Sequence, residues 1–260
     1  MPARAELGRA ALVAQLRALG VREGGLLLVH TSFRAVRPVE GGPAGLVAAL
    51  REALGPDGTL AMPSWTGDDA AVFDPRTTPC AADLGVTADR FWRGPGVLRS
   101  AHPFAFAAAG PLARRIVETP LPLPPHAPGS PVGRVHDLDG QVLLLGVGHD
   151  ANTSLHLAEC LAGAPYGVEH HVTVAREGRA ERIAYRENDH CCARFALADG
   201  WLRGRGAQAE GPVGHAHARL FRARDAVAAA VEHLGREPLA FLHGADEGCG
   251  DCDLARASVR

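Results

Sequence analysis

Val142-Leu-Leu-Leu-Gly146-Val-Gly-His-Asp-Ala-Asn-Thr-Ser-Leu-His156-Leu-Ala-Glu159 runs from an unbroken apolar segment through glycines and a polar turn into a helix. Strand, turn and helix in that order form one step of an open α/β sheet. The step sets His156 in the first turn of its helix, at the carboxyl edge of the strand, where such sheets bind small molecules. Asn152 or Thr153 supplies the N-cap. Working outward, Leu26 to Val29 is a second continuous apolar strand. Pro43 to Leu54 reads as a helix and Gly58 to Met62 as the next strand, the spacing of a parallel βαβ unit. Residues 5–19 suit an amphipathic helix with Leu12, Leu16 and Leu19 on one face and Gly20 closing it, within an N-terminus, Met1 to Leu19, of the same amphipathic character. Phe104 to Ala109 and Leu239 to Leu242 read as strands, residues 222–234 as a helix, and Thr173 to Tyr185 as a hairpin turning at Glu177-Gly178. Trp65 to Arg99 is a long irregular insertion. Prolines at 120, 122, 124, 125, 128 and 131 forbid regular structure there and predict a stiff surface loop.

With 260 residues, 47% of them apolar, residues 1–260 are most simply one elaborated domain. Acidic and basic residues nearly balance, 29 against 27, and no basic run carries interleaved aromatics, so nucleic acid is not an expected partner. The chain has no lysine, which excludes Schiff-base chemistry and a Walker-type phosphate loop. No apolar run approaches the ~20 residues of a membrane span, and Met1 to Leu19 lacks the apolar core of a secretory signal. The cytoplasm is the expected compartment, where six cysteines serve as thiols or metal ligands rather than disulfides. Oligomeric state, monomer or homodimer, leaves no trace in the sequence.

The chemistry concentrates in two segments. His156 is placed to act as a general base, and the helix dipole favours its neutral form. Its orienting carboxylate is Glu159, three residues on along the same helix face, or one of the two acids in Glu187-Asn-Asp189-His-Cys-Cys192. His30, Thr31, Ser32, Phe33, Arg34 and Arg37 follow a strand end, where hydroxyls and amides hold a polar cofactor and arginines neutralise phosphates. Thr31, Ser32 or Thr153 offers a donor for an oxyanion. Trp65 beside Asp68 and Asp69 suits a polycationic or sugar-like ligand. Cys249-Gly-Asp-Cys252 has zinc-site spacing, and His190, Cys191 and Cys192 are the expected complement for a structural zinc. A different reading of the same residues is a zinc-dependent hydrolase, with His156, Asp189, His190 and a cysteine on a catalytic metal.

Leu28-Val-His-Thr-Ser-Phe-Arg-Ala-Val-Arg-Pro38, Ala61-Met-Pro-Ser-Trp65, Arg99-Ser-Ala-His-Pro-Phe-Ala-Phe-Ala-Ala-Ala-Gly110, His149-Asp-Ala-Asn-Thr-Ser-Leu-His156 and Glu187-Asn-Asp-His-Cys-Cys192 together resemble the antibiotic N-acetyltransferase family, the aminoglycoside 3-N-acetyltransferases, and most of all its type IV enzymes, which act on apramycin and gentamicin-like drugs. The likeness runs from about Leu12 to Cys252; Thr31 stands where relatives often have serine, which keeps the hydroxyl. The resemblance implies a three-layer α/β/α sandwich with a largely parallel central sheet and long insertions, distinct from the Gcn5-related fold. It implies antibiotic resistance by acetyl transfer from acetyl-coenzyme A to an amine of an aminoglycoside's deoxystreptamine ring. Carried over, His156 is the base, Glu187 its orienting carboxylate, and Asp189 lies near the acceptor. Trp65 and Asp69 line the aminoglycoside site, with Glu159, Glu187 and Asp189 among its acids. His30 to Arg37, Arg99, Ser100 and His102 contact coenzyme A, with Thr153 beside them.

Overall fold

The structure, a computed structural model, describes residues 5–259. In order they form α1 (Arg9–Leu19), β1 (Leu26–Thr31), α2 (Phe33–Val36), α3 (Gly42–Leu54), β2 (Thr59–Pro63), α4 (Gly85–Trp92), β3 (Leu98–Arg99), β4 (Phe106–Ala109), α5 (Ala113–Val117) and α6 (Pro131–Asp137). Then come β5 (Gln141–Leu145), α7 (Ser154–Ala162), β6 (Val168–Arg176), β7 (Arg179–Glu187), α8 (Leu197–Gly204), β8 (Gln208–Val213), β9 (Ala216–Arg222), α9 (Ala223–Arg236) and α10 (Gly250–Ala257). Met1 to Arg4, expected to share the amphipathic character of α1, lie outside the described residues. No helix among the described residues is long and apolar enough to cross a membrane.

In β1, Leu26 and Leu28 enter one core while Leu27 and Val29 enter another. A strand apolar on both sides must be covered on both sides, and here helices do so. α1, α3 and α4 close one face; α5 to α9 close the other. The result is the expected three-layer sandwich. Seven strands lie in the order β3-β4-β2-β1-β5-β9-β8. The parallel pair β1-β2 is the βαβ unit expected from the sequence, β5 adds a third parallel strand beside β1, and antiparallel pairs extend this centre at both edges. In that centre Thr31 pairs with Leu145, so two strands end level and their carboxyl edges open together.

The hairpin forms as expected. Arg176 pairs with Arg179 across Glu177 and Gly178, both at positive φ, the geometry of a two-residue hairpin turn. It stands as a separate two-stranded sheet. Residues 239–242 differ from expectation: they are turns, held by Ala240 N–H to Glu237 O and Leu242 N–H to Leu239 O, not a strand. Their apolar run exists because Ala240, Phe241 and Leu242 are buried beneath the helical layer. A short apolar run reads the same for a buried strand and a buried turn.

The turn that opens the cleft depends on Gly146, at φ 71°. A Cβ there would sit 2.5 Å from the Ala35 Cβ and 3.2 Å from that of Ala216. Gly146→Ala therefore combines a disfavoured backbone with a steric clash and is expected to cost about 1–3 kcal/mol. Urea unfolding should show this as a lower midpoint at unchanged slope.

Candidate active site

α7 begins one turn past Gly146. Asn152 Oδ1 accepts the Ser154 N–H at 3.1 Å and fixes the turn before it, which leaves His156 as the third helical residue. Glu159 follows three positions later, on the same face. His156 Nδ1–H donates to Glu159 Oε2 at 2.8 Å. The other oxygen, Oε1, accepts from His190 Nε2–H at 2.8 Å and from the Tyr166 hydroxyl. Glu159 has no solvent exposure. Burial alone would raise its pKa, but the hydrogen bonds from His156 and His190 and their charges overcome that and hold it below the ordinary carboxylate value.

His156 is the mirror case. Burial disfavours its cation, yet the hydrogen bonds to Cys192 and Glu159 and their negative fields win, and its pKa lies well above that of a free imidazole. The helix N-terminus, expected to keep the ring neutral, is outweighed by a buried carboxylate in direct contact. His156 Nε2 faces Cys192 Sγ at 3.5 Å. Cys192 sits at φ 58° and gives its N–H to His190 Nδ1 at 3.0 Å, so both nitrogens of His190 are engaged.

His156 and Cys192 line a cleft of about 400 Å³ over the carboxyl ends of β1 and β5. Its walls include His30, Thr31, Trp65, Asn152 and Thr153, and also His126. The Thr31 hydroxyl is buried with no hydrogen-bond partner, and His30 Nε2 lies 3.3 Å from Thr153 Oγ1. Burial, with the field of His126, lowers the His30 pKa to about 3, so that ring is neutral. His126 comes from the proline-rich loop and stacks on His156 with ring centroids 5.0 Å apart. It is not among the residues expected from sequence, because nothing in residues 120–131 signals a catalytic neighbour; the only cue is a histidine in a segment too stiff to move freely.

The structure corrects the expected partner of the base. Glu159, not Glu187, contacts His156. Glu187 ends β7 and faces His126 Nδ1 at 3.4 Å. Burial would raise its pKa, but the contact with His126 outweighs burial and holds it low. Asp189 faces His170 Nε2 at 3.0 Å, a contact poorly angled for a hydrogen bond. Asp69 joins this group: burial raises its pKa, His170 opposes, and Asp68 and Glu187 add to the rise. Trp65 packs edge-on against both Phe106 and His126.

Several expected coenzyme contacts are engaged elsewhere. Arg99 donates to Ser64 O and to Thr78 O, the latter at 2.6 Å, with its guanidinium over Trp92 and Phe73. It fastens the 65–99 insertion to the sheet. The Ser100 hydroxyl bonds Phe106 O at 3.2 Å inside a turn, and His102 Nε2 meets Thr119 Oγ1 at 3.0 Å. None of the three lines the cleft. Ser32 starts α2 and Phe33 packs on the core, whereas Arg34 and Arg37 are exposed beside them. The expected metal set also changes. His190 belongs to Glu159 and Cys192 to His156, while Cys191, Cys249 and Cys252 meet His243, which is not among the ligands expected from sequence. With His156 and His190 held by one carboxylate and the cysteines gathered elsewhere, a catalytic zinc shared by His156, Asp189 and His190 has no support.

A family model described as aminoglycoside 3-N-acetyltransferase matches residues 28–235. The chain is 64% identical over 243 residues to aminoglycoside N(3)-acetyltransferase IV of Salmonella sp., covering 94% of this chain and 93% of that one. A crystal structure of aminoglycoside acetyltransferase AAC(3)-IVa, a histidine-to-alanine mutant in complex with a gentamicin, superposes with a TM-score of 0.98 at 62% identity, over the full length of both chains. AAC-IIIb binary with CoASH superposes at 0.81 with 28% identity, covering 90% of this chain and 98% of that one. With four-fifths of its length matched by the family model and a near-complete overlap with a solved relative, the chain belongs to the aminoglycoside 3-N-acetyltransferases.

Proposed function

We propose that the cleft acetylates the 3-amine of an aminoglycoside's deoxystreptamine ring, by direct transfer from acetyl-coenzyme A, with His156 as base and Glu159 as the carboxylate that orients it. The observation that carries this reading is the pair itself: a histidine whose Nδ1 is locked to a buried carboxylate and whose ring lines an open cleft. Binding of a gentamicin and of CoASH by relatives supports a site that takes both ligands.

An aminoglycoside carries several ammonium groups, and Asp69, Glu187 and Asp189 supply the opposing charge at the hairpin side of the cleft. An ammonium has no lone pair to attack a thioester. One of its protons must first pass to water to give the neutral amine, and in the free site the raised pKa of His156 favours the cation, which cannot act as a base. The arriving polycation repels the imidazolium and drives its proton off, which readies the base only when acceptor is present. His156 then takes the amine's proton as the nitrogen attacks the acetyl carbon. The unpartnered Thr31 hydroxyl is a donor for the oxyanion. Collapse breaks the carbon–sulfur bond, and His156 returns the proton to the departing thiolate. Arg34 and Arg37, exposed beyond the end of β1, are suited to the coenzyme's phosphates.

The same reading makes residues 1–260 one functional domain, since the cleft draws on β1, the 120–131 loop and the 187–192 turn together. Its compartment is the cytoplasm, where six free cysteines stay reduced.

Thiol release from acetyl-coenzyme A in the presence of gentamicin tests the activity directly. His156→Ala should lower turnover about 10²–10⁴-fold, the usual contribution of a general base, with coenzyme affinity unchanged; full activity in that variant removes the assignment. The pH dependence has a definite sign. The base works deprotonated, so kcat/KM should rise with pH through a midpoint above 6.5, the ordinary imidazole value that His156 exceeds. Glu159→Gln leaves Cys192 alone to oppose burial, so the midpoint should move down while the plateau falls. Asp69→Asn and Glu187→Gln should raise KM for the aminoglycoside, most strongly at low salt, with little change in KM for acetyl-coenzyme A.

A further inference from the structure

Behind the catalytic turn, four side chains from three separate segments converge. Cys191 Sγ lies 3.3 Å from His243 Nδ1 and 3.6 Å from Cys252 Sγ, and Cys252 Sγ lies 3.5 Å from His243 Nδ1. Cys249 completes the group, with all four donor atoms within 4.8 Å of one another. A zinc ion at its ordinary Zn–S distance of about 2.3 Å and Zn–N distance of about 2.0 Å needs tetrahedral edges of about 3.8 Å between sulfurs and about 3.5 Å between sulfur and nitrogen. The three edges among Cys191, Cys252 and His243 are close to that size. We propose that Cys191, His243, Cys249 and Cys252 bind one structural Zn²⁺, three thiolates and one imidazole, with no open coordination position.

Softness and geometry favour zinc over a hard cation: there is no oxygen donor in the set, and its four ligands close a tetrahedron. The surroundings give the ion a task. Among the described residues, the apolar cluster at α10 contains four buried residues, Tyr166, Leu242, Cys252 and Ala255. So small a core holds a tail poorly without a staple. A metal here would bind residues 243–252 to Cys191, and through Ser258, whose Oγ accepts from Gly167 N–H at 2.8 Å, to the base of the hairpin. It also pins the backbone one residue before Cys192, which packs on His156. The positioning consequence rests on His156 being the base; the metal site does not. Binding displaces the thiol protons, so occupancy falls at low pH.

Elemental analysis of the full-length chain, purified without chelator, should give about one zinc per chain, as expected of a structural site with this affinity. Cys249→Ser and Cys252→Ser should lose the metal, whereas Cys192→Ser should keep it. X-ray absorption at the zinc edge of the unmodified chain should show three sulfur neighbours at about 2.3 Å and one nitrogen at about 2.0 Å, which keeps the proposal testable should the serine variants fail to fold. Stripping the zinc should lower the thermal midpoint and kcat, with KM for acetyl-coenzyme A unchanged, and added zinc should restore both. Three results overturn the proposal: zinc far below stoichiometric, a Cys191–Cys252 disulfide in non-reducing peptide maps, or metal lost on Cys192→Ser and kept on Cys249→Ser. A chain that carries zinc yet stays fully active as His156→Ala would leave the site intact and dispose only of the mechanism.

Discussion

One carboxylate organises the catalytic region. Glu159 is buried without access to water, where an unpaired charge costs several kcal/mol or more. Its two oxygens answer that cost with three donors, from His156, His190 and Tyr166. These reach it from α7, from the turn after β7, and from the segment leading into β6. The bonds therefore do two things together: they satisfy the charge, and they bind the sheet edge to the otherwise separate hairpin. Removing the carboxylate would leave three polar groups facing inward with no acceptor, so its loss is felt in structure as well as in the pKa of His156.

Histidine chemistry in the cleft follows from burial working against charge. His30 is buried and His126 is partly buried, and both are pushed toward neutrality. His156 is equally enclosed and goes the opposite way because Glu159 and Cys192 touch it. Of three imidazoles within one small cavity, one thus favours its cation and two their neutral form, and the difference lies in which neighbour each one meets. A neutral His126 stacked on His156 adds an aromatic wall without a competing cation. Glu187 balances His126 from the far side, which places the acid within reach of an incoming ammonium rather than against the base.

The parts of the fold governed by local rules were legible in the sequence. Leu26 to Val29 and Val142 to Leu145 announce buried strands because nothing polar interrupts them, and Glu177-Gly178 announces its turn because both positions need positive φ. β8 and β9 went unread, since Gln208-Ala-Glu-Gly-Pro-Val213 carries a glycine and a proline where a strand pattern should be continuous. That proline is tolerable because β8 is an edge strand. His156 was legible from its place after a strand. Its partner was half legible: the three-residue spacing pointed to Glu159, while the dense acidic run and the resemblance drew attention to Glu187. His126 and His243 were invisible for one reason, that each reaches its cluster through tertiary contact across a loop with no periodic signal.

This division has a functional logic. The proposed base, its carboxylate and the Thr31 hydroxyl stand on the level ends of β1 and β5 and the first turn of α7, where sheet register fixes positions closely. The groups suited to an acceptor's charge come from excursions: Trp65 and Asp69 from the insertion after β2, His126 from the proline-rich loop, Glu187 and Asp189 from the end of the hairpin. Each excursion is stiffened by its own device. Arg99 buries its guanidinium to fasten the insertion, prolines limit the loop, and the C-terminal tail braces the hairpin through Ser258. Changes within an excursion can therefore reshape the acceptor wall while leaving the transfer geometry alone, since no strand of the parallel centre has to move.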